Sequence, residues 1–450
     1  MGVDTEALDM IREEHEKKTR MPWGRAVFIS LPFFVLTLFW QAYDYIVPLI
    51  LSRHFSLGTT IYSIIMSADN VFAMIFLPLF GILSDRINSK LGRRTPLILF
   101  GTLGGVVGLF FMARIDALAV SGNIQLVPFL AALLATVFFM RLYRSPSAAL
   151  VADCFIRPQR TKANAVLNLM GAFAGVLFGL AGRRLISYQG DLPVFTGCMY
   201  FVIIMMCAIM ILYVIVVREN ALVNEVRQQN ERLGLIDEKT DSTDRSLTKL
   251  SAGERKSLWL ILITVFLVYI SYNGFHTHYT NYLVTRLKQP ASWTGPYLVE
   301  VVLAMLMMIP AAFITTRFGR RKSCMVGSLM CAVGYFGTSL VTPEKVNTIY
   351  IWFVIAAIGF PLFGINLGPM VLELGKDIDA GRYLGYYYVA ATGAQIVAPT
   401  LASLFINRWG YGVLGIFSSF FTAIAFLVLL PVRHGDVKPS LKHAIDDAIA

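Results

Sequence analysis

Four ionisable side chains of this chain stand inside long apolar stretches, where a charge is expensive: Asp44 in WQAYDYIVPLIL, Asp69 in MSADNVFAM, His276 in FHTHYTNY and Glu300 in LVEVVLAMLMM. A titratable group at bilayer depth is costly enough that a functional role is the default reading. Asp69 is the first choice for a protonation site, because a carboxyl in apolar surroundings can take up and release a proton during a working cycle. Asp44 belongs to an aromatic patch with Trp40, Tyr43 and Tyr45. A carboxylate accepts two hydroxyl hydrogens while flat rings stack on a pyranose face, so this patch suits a sugar. Asn70 adds an amide beside Asp69, and His276 and Glu300 add polar groups from the second half of the chain. Arg141 and Arg144 are three apart on one expected helix and therefore face the same way. A guanidinium at that depth needs a partner. The reading favoured here pairs Arg144 with Asp69 or Asp44, in a contact that breaks when the acid is protonated and so links proton to cargo. Arg141 is assigned to the cargo site, and a static structural pair is the open alternative.

The elements that must position these groups are membrane helices. The chain has 450 residues, is 56% hydrophobic and has a mean hydropathy of +0.64, which excludes disorder and argues against a soluble globule. Twelve apolar spans are expected at about 26–52, 59–83, 95–114, 126–152, 164–186, 194–217, 258–285, 293–315, 323–341, 348–373, 384–407 and 411–432, each near the length of a tilted transmembrane helix. At 1.5 Å rise per residue, Asp44, Asp69, His276 and Glu300 can then share one layer between the midplane and the outer face. The net charge of +11 does not point to nucleic acid, because the Lys and Arg sit in the gaps between spans. Lys17, Lys18, Arg20 and Arg25, the run Arg86 to Arg94, Arg157, Arg160 and Lys162, and Arg317, Arg320, Arg321 and Lys322 all fall on one side. The positive-inside tendency makes that side, and both termini, cytoplasmic. The opening residues have no apolar stretch ahead of their charges, so no cleavable leader is expected. The five cysteines have neither metal spacing nor a disulfide pattern and read as packing residues.

The two halves echo each other. GILSDRINSKLGRR follows span 2 and AFITTRFGRRKS follows span 8; ALVADCFIRPQRTKANAV follows span 4 and VLELGKDIDAGRYLGYYY follows span 10. Two echoes in register imply an internal repeat, and paired six-helix halves around a midplane cavity are an architecture of secondary transporters. The expected layout is a cytoplasmic segment over 1–25, one six-helix bundle over 26–217, a partly helical cytoplasmic linker over 218–257, a second bundle over 258–432 and a tail over 433–450. The basic turn reads as a cytoplasmic gate motif. Gly81 and Gly92 allow close approach, Asp85 accepts from helix N-termini or guanidinium groups, and Arg86, Arg93 and Arg94 supply donors. Asp153 and Glu373 end spans 4 and 10 at equivalent places, so both are expected to pair with the basic turns when the inner side is shut.

GILSDRINSKLGRRTP resembles the loop signature of the major facilitator superfamily. Its GRR-x-P ending, together with RSPSAALVADCFIRPQRTKANAVLNLMGAFAGVL, resembles the sucrose-transporter branch, which is related to the glycoside–pentoside–hexuronide cation symporters. The resemblance runs over all twelve spans and is most specific in the first five. It implies an all-α membrane protein with twelve transmembrane helices in two pseudo-symmetric six-helix bundles. It also implies uptake of a sugar coupled to an inward cation gradient, most often of protons. The sodium-coupled melibiose-type carriers place two acids one turn apart in span 2, and those places fall here on Ala73 and Leu77, which favours protons. The resulting expectation is a proton-coupled symporter of a disaccharide or glucoside, working as a monomer in the plasma or inner membrane without cofactor or metal. The alternatives are a sodium-coupled sugar symporter and a same-fold antiporter of amphiphiles or drugs. No G-x-S-x-G, H-E-x-x-H, P-loop or Cys/His cluster argues for an enzyme.

Overall fold

A computed structural model describes residues 21–122, 125–232, 250–375 and 380–436. The first half opens with α1 (Trp23–Ile29) and α2 (Leu31–Leu49), and a turn of π-helix, Ile50–His54, ends the span. Helix α3 (Thr59–Arg86) descends to the basic turn and α4 (Thr95–Val120) rises from it, with Pro96 in its first turn, where no backbone donor is needed. The next span is broken into α5 (Leu126–Leu142) and α6 (Arg144–Cys154). The break at Tyr143 has a local cause. Pro146 has no N–H to donate to the Leu142 carbonyl four residues back, and its ring would clash there, so the helix stops and restarts.

Helix α7 (Arg157–Leu185) leads into a short antiparallel hairpin, β1 (Ser187–Gln189) with β2 (Leu192–Val194), followed by α8 (Thr196–Val216) and α9 (Glu219–Arg232). The second half contains α10 (Ala252–Thr285), entered through a Ser251/Glu254 capping box, then α11 (Gly295–Phe318), α12 (Arg320–Ser339), α13 (Ile349–Gly375), α14 (Ala380–Trp409) and α15 (Leu414–Leu429). Residues 1–20 of the expected N-terminal segment, 233–249 of the linker and 437–450 of the expected tail lie outside the described residues. The described part of the linker includes the helix α9.

Among the described residues, eleven helices are long and apolar enough to cross a membrane. The expected ninth span, α12, is the exception, because Arg320, Arg321 and Lys322 and its glycines and serines dilute its hydropathy. It is nevertheless built for lipid on one side. Val326, Leu329, Val333, Phe336 and Leu340 form an exposed apolar stripe at helical spacing. Its opposite face is made of small residues, and Gly327 lies against Gly359 and Gly334 against Ala356, so the backbones of α12 and α13 approach closely.

Most buried apolar residues gather in two large cores, one drawn from Met21 to Val217 with Ala291, the other from Leu258 to Val432. The halves meet where α14 packs on α3, α11 on α7 and α10 on α2. This is the two-bundle arrangement that the echoes implied.

Candidate functional site

Between the halves lies a cavity of about 310 Å³, within the range of small-molecule sites. Trp40, Gln41 and Asp44 line it from α2, Asp69 and Asn70 from α3, Arg141 from α5 and Arg144 from α6. The facing wall carries Tyr272, Asn273, His276, Thr277 and Thr280 of α10, Tyr297 of α11 and Gln395 of α14. Amides, hydroxyls and aromatic rings dominate this lining.

Asp69 is buried, at 6% exposure, and its partner is Arg141, at 3% exposure, with Nη2 donating to Oδ2 at 2.5 Å. The Arg141 guanidinium also lies 4.0 Å above the Trp40 ring, so it is held by charge on one side and by a π-face on the other. Arg144 takes neither acid. The break at Tyr143 interrupts the helix between the two arginines, so their spacing of three no longer gives them one environment: Arg141 is enclosed and Arg144 is open to the cavity. This corrects the expected Arg144–Asp69 contact.

Asp44 is exposed into the cavity one turn from Trp40. Tyr43 is turned the other way. It is buried in the core of the first bundle and meets Trp40 edge to face with centroids 5.2 Å apart, so the cavity wall takes Trp40 and Asp44 without it. The reason is angular, since successive helix positions turn by about 100°, which brings 40 and 44 together and leaves 43 aside. His276 lines the cavity, stacked on Tyr272 at 4.1 Å, and stands at ion-pair distance from Glu300, Nε2 to Oε1 3.2 Å. Glu300 is buried behind His276 and does not line the cavity.

At the end with the basic loops, Arg94 pairs with Asp153 at 2.7 Å and Arg320 with Glu373 at 2.9 Å, at matching places in the two halves. Each acid therefore meets a basic turn of its own half. Arg94 also donates to Ser84. Arg86 is exposed, and the side chain of Asp85 lies outside the described residues, as does the packing around Gly81.

The sequence reading missed two further acids here. The Glu219 carboxylate accepts from the backbone N–H groups of Arg93, Arg94 and Thr95 at 2.7, 2.9 and 2.8 Å, and from the Thr95 hydroxyl at 2.7 Å. Asp436 accepts from the Arg321 N–H at 2.8 Å. Each acid follows the sixth helix of its half and caps the third, where orphan N–H groups and the helix dipole favour an anion. Gly92 (φ +123°) and Gly319 (φ +90°) make room, since a Cβ at either would meet the capping carboxylate. An acid directly after spans 6 and 12, opposite each GRR turn, was the available signal.

Glu219 is 1% exposed. Glu219→Ala is expected to lower unfolding stability in detergent by on the order of 3 kcal/mol, because buried N–H groups lose their acceptor. Asp436→Ala, which strips one N–H, should cost less. Equal melting of Glu219→Ala and the parent would show that the cap contributes nothing.

The described hydrogen bonds between the halves gather at the opposite end. Tyr45 donates to the Ala291 carbonyl at 2.5 Å, Ser52 to Asn281 at 2.8 Å, Arg53 to Thr285 at 2.8 Å, Thr294 to the Gly179 carbonyl at 2.8 Å and Asn407 to Thr60 at 2.8 Å. Tyr297 also donates to Gln41. The molecule is clamped at that end.

A family model described as "Major Facilitator Superfamily" matches residues 29–372 and 298–444. Among curated proteins, the general alpha-glucoside permease of Schizosaccharomyces pombe is 31% identical over 128 residues, covering 27% of this chain and 23% of that protein. Among solved structures, the inward-open xylose transporter from E. coli has a TM-score of 0.66 at 14% identity, over 93% of this chain and 98% of the other. A bacterial homolog of the human lysosomal transporter Spinster has a TM-score of 0.67 at 11% identity, over 93% and 99%. A nucleoside transporter has a TM-score of 0.66 at 10% identity, over 90% and 98%. Likeness at such identities speaks to the fold alone.

Proposed function

The chain belongs to the Major Facilitator Superfamily and is an integral membrane transporter, and on that premise we propose that it carries a disaccharide or glucoside together with a proton by alternating access. The observation that carries this reading is the wall around Asp69. Arg141 Nε and Nη1, Asp69 Oδ1 and Trp40 Nε1 are buried polar atoms without a hydrogen-bond partner among the described residues, and all belong to residues lining the cavity. Buried polar atoms are normally satisfied, so orphaned donors and an orphaned acceptor on one wall fit a ligand that both donates and accepts. A sugar does both with each hydroxyl, and Trp40 offers a ring to stack on.

The coupling step is a competition for Arg141. With Asp69 ionised, the guanidinium is held by the carboxylate. When Asp69 binds a proton, that attraction falls and the guanidinium can turn its donors to the cargo, so proton and cargo bind together. Asp44, Asn70 and Arg144 contact the cargo from the first bundle and His276 from the second, with Glu300 holding His276. The bundles over 26–217 and 258–432 rock about the cavity, the GRR turns hold the cytoplasmic ends, and a monomer suffices. Both termini are cytoplasmic in this reading. The amides, hydroxyls and charged groups that converge on the cavity favour a sugar over an amphiphile. The partial likeness to an alpha-glucoside permease supports the same cargo class.

The test is uptake of radiolabelled sucrose, maltose and methyl glucosides into proteoliposomes with an imposed pH gradient. At least one sugar should accumulate above equilibrium without sodium, and a protonophore should abolish the accumulation. Accumulation indifferent to the protonophore, or strictly dependent on sodium, removes the proton from the mechanism. In a thermal-shift panel, stabilisation by drugs or lipids and by no sugar favours the antiporter reading.

A further inference from the structure

At the clamped end, one side chain joins three helices by a chain of directional hydrogen bonds. His278 of α10 is fully buried, at 0% exposure. Its Nε2 lies 2.9 Å from the carbonyl of Pro399 in α14, and a carbonyl only accepts, so Nε2 carries a hydrogen. Its Nδ1 lies 2.6 Å from the Tyr62 hydroxyl of α3, in the other half of the molecule. In a neutral ring Nδ1 accepts, Tyr62 donates to it, and the Tyr411 hydroxyl, 3.1 Å away, donates to Tyr62. The path Tyr411 to Tyr62 to His278 to Pro399 is then complete, with every hydrogen placed.

The surroundings offer no compensation for a charge. Ser63 of α3 stands 3.4 Å from Nε2 with its own hydrogen directed to the Thr59 carbonyl, and Asn281, one turn along α10, is a neutral partner of Tyr62. Among the described residues no carboxylate or cation pairs with His278. The hydroxyl hydrogens could reverse to suit an imidazolium, so hydrogen bonding alone does not forbid one. The charge does, because a buried ion without a counter-ion costs several kcal/mol.

We propose that His278 is a proton-sensitive latch of the mouth opposite the basic loops, which closes only around the neutral imidazole; the inference rests on the alternating-access reading above. When the halves part at that end, His278 meets water and can bind a proton from that side. The protonated ring then holds the mouth open until it is released. A ligand that binds one of two states shifts the equilibrium toward it. A histidine in water titrates near pH 6.5, so moving from pH 8 to pH 5 raises the open-to-closed ratio by up to about thirty-fold. An acidic outside would thus present the empty cavity outward, where a proton-driven importer needs it.

The test reads the mouth directly, without sugar. Spin labels are placed at Ser56→Cys and Arg408→Cys, beside the Thr60–Asn407 contact, in the full chain carrying Cys207→Ser; the other four cysteines are buried. Double electron–electron resonance in lipid nanodiscs should show a long-distance population that grows as pH falls from 8 to 5. In His278→Gln, which keeps a donor for Pro399 but cannot be charged, that growth should be lost. Tyr62→Phe, which removes one hydroxyl, should enrich the open population already at pH 8. A parent distribution independent of pH, a full pH response in His278→Gln, or a Tyr62→Phe distribution equal to the parent at pH 8 would each overturn the proposal. An inert uptake assay would remove the sugar reading and leave this one standing, and a pH-independent mouth would do the reverse.

Discussion

Asp69→Asn is expected to abolish concentrative uptake: sugar inside should rise to the outside concentration and stop, whatever pH gradient is imposed. Exchange of labelled for unlabelled sugar should persist within about tenfold of the parent, since Asn retains an acceptor for Arg141 and the volume is unchanged. The reasoning is local. Asp69 is the only carboxylate in hydrogen-bonding contact with Arg141 among the described residues, at 2.5 Å. A neutral amide there imitates the protonated acid permanently, so the cavity binds its cargo with no proton to carry. The decisive comparison is counterflow against pH-driven accumulation in the same proteoliposomes. A variant that accumulates sugar normally would mean that Asp69 is not the coupling acid.

The second large effect falls on Arg141. Arg141→Met strands the Asp69 carboxylate in a buried site without a partner, which is expected to cost about 3–5 kcal/mol of stability and to leave transport below about 1% of the parent. Arg141→Lys keeps the charge but loses the flat contact with Trp40 at 4.0 Å. It should fold normally and bind sugar about tenfold more weakly. A double variant separates stability from function. Asp69→Asn with Arg141→Gln should recover most of the stability lost in Arg141→Met, because no charge is left unpaired, while transport stays absent. If Arg141→Met alone unfolds no earlier than the parent, the pair is not a buried charge pair in the membrane. If it transports normally, Arg141 is not part of the coupling.

These expectations depend on a feature that spacing alone misassigned. Arg141 and Arg144 read as facing one way, with the acid given to Arg144, because a continuous helix places residues three apart on one face. Pro146 is legible in the sequence, and its missing N–H stops the helix four residues upstream, between the two arginines. The break at Tyr143 separates them, and only Arg141 reaches Asp69. Tyr43 carries a similar lesson. Its type suited a sugar site, but its helical angle sends it into the core. The polar stripe of α10, Asn273, His276, Thr277 and Thr280, had a period that could have been read and was read only at His276. Glu219 and Asp436 looked like ordinary charges after apolar spans, because nothing local in the chain records that each folds back onto a helix start more than a hundred residues away.

By itself the sequence determined the membrane class, the twelve helices and the internal repeat. Those follow from the cost of putting unsatisfied backbone and charge into hydrocarbon, which acts on each segment separately. The tertiary structure decided which charges meet, which faces are wet and which end is clamped. Partner choice is a matter of angle and distance between helices far apart in the chain: Arg141 over Trp40 and against Asp69, and His278 between Tyr62 and Pro399. A one-dimensional pattern fixes the period of each helix but not its rotation against its neighbours, and the chemistry of this cavity is set by that rotation.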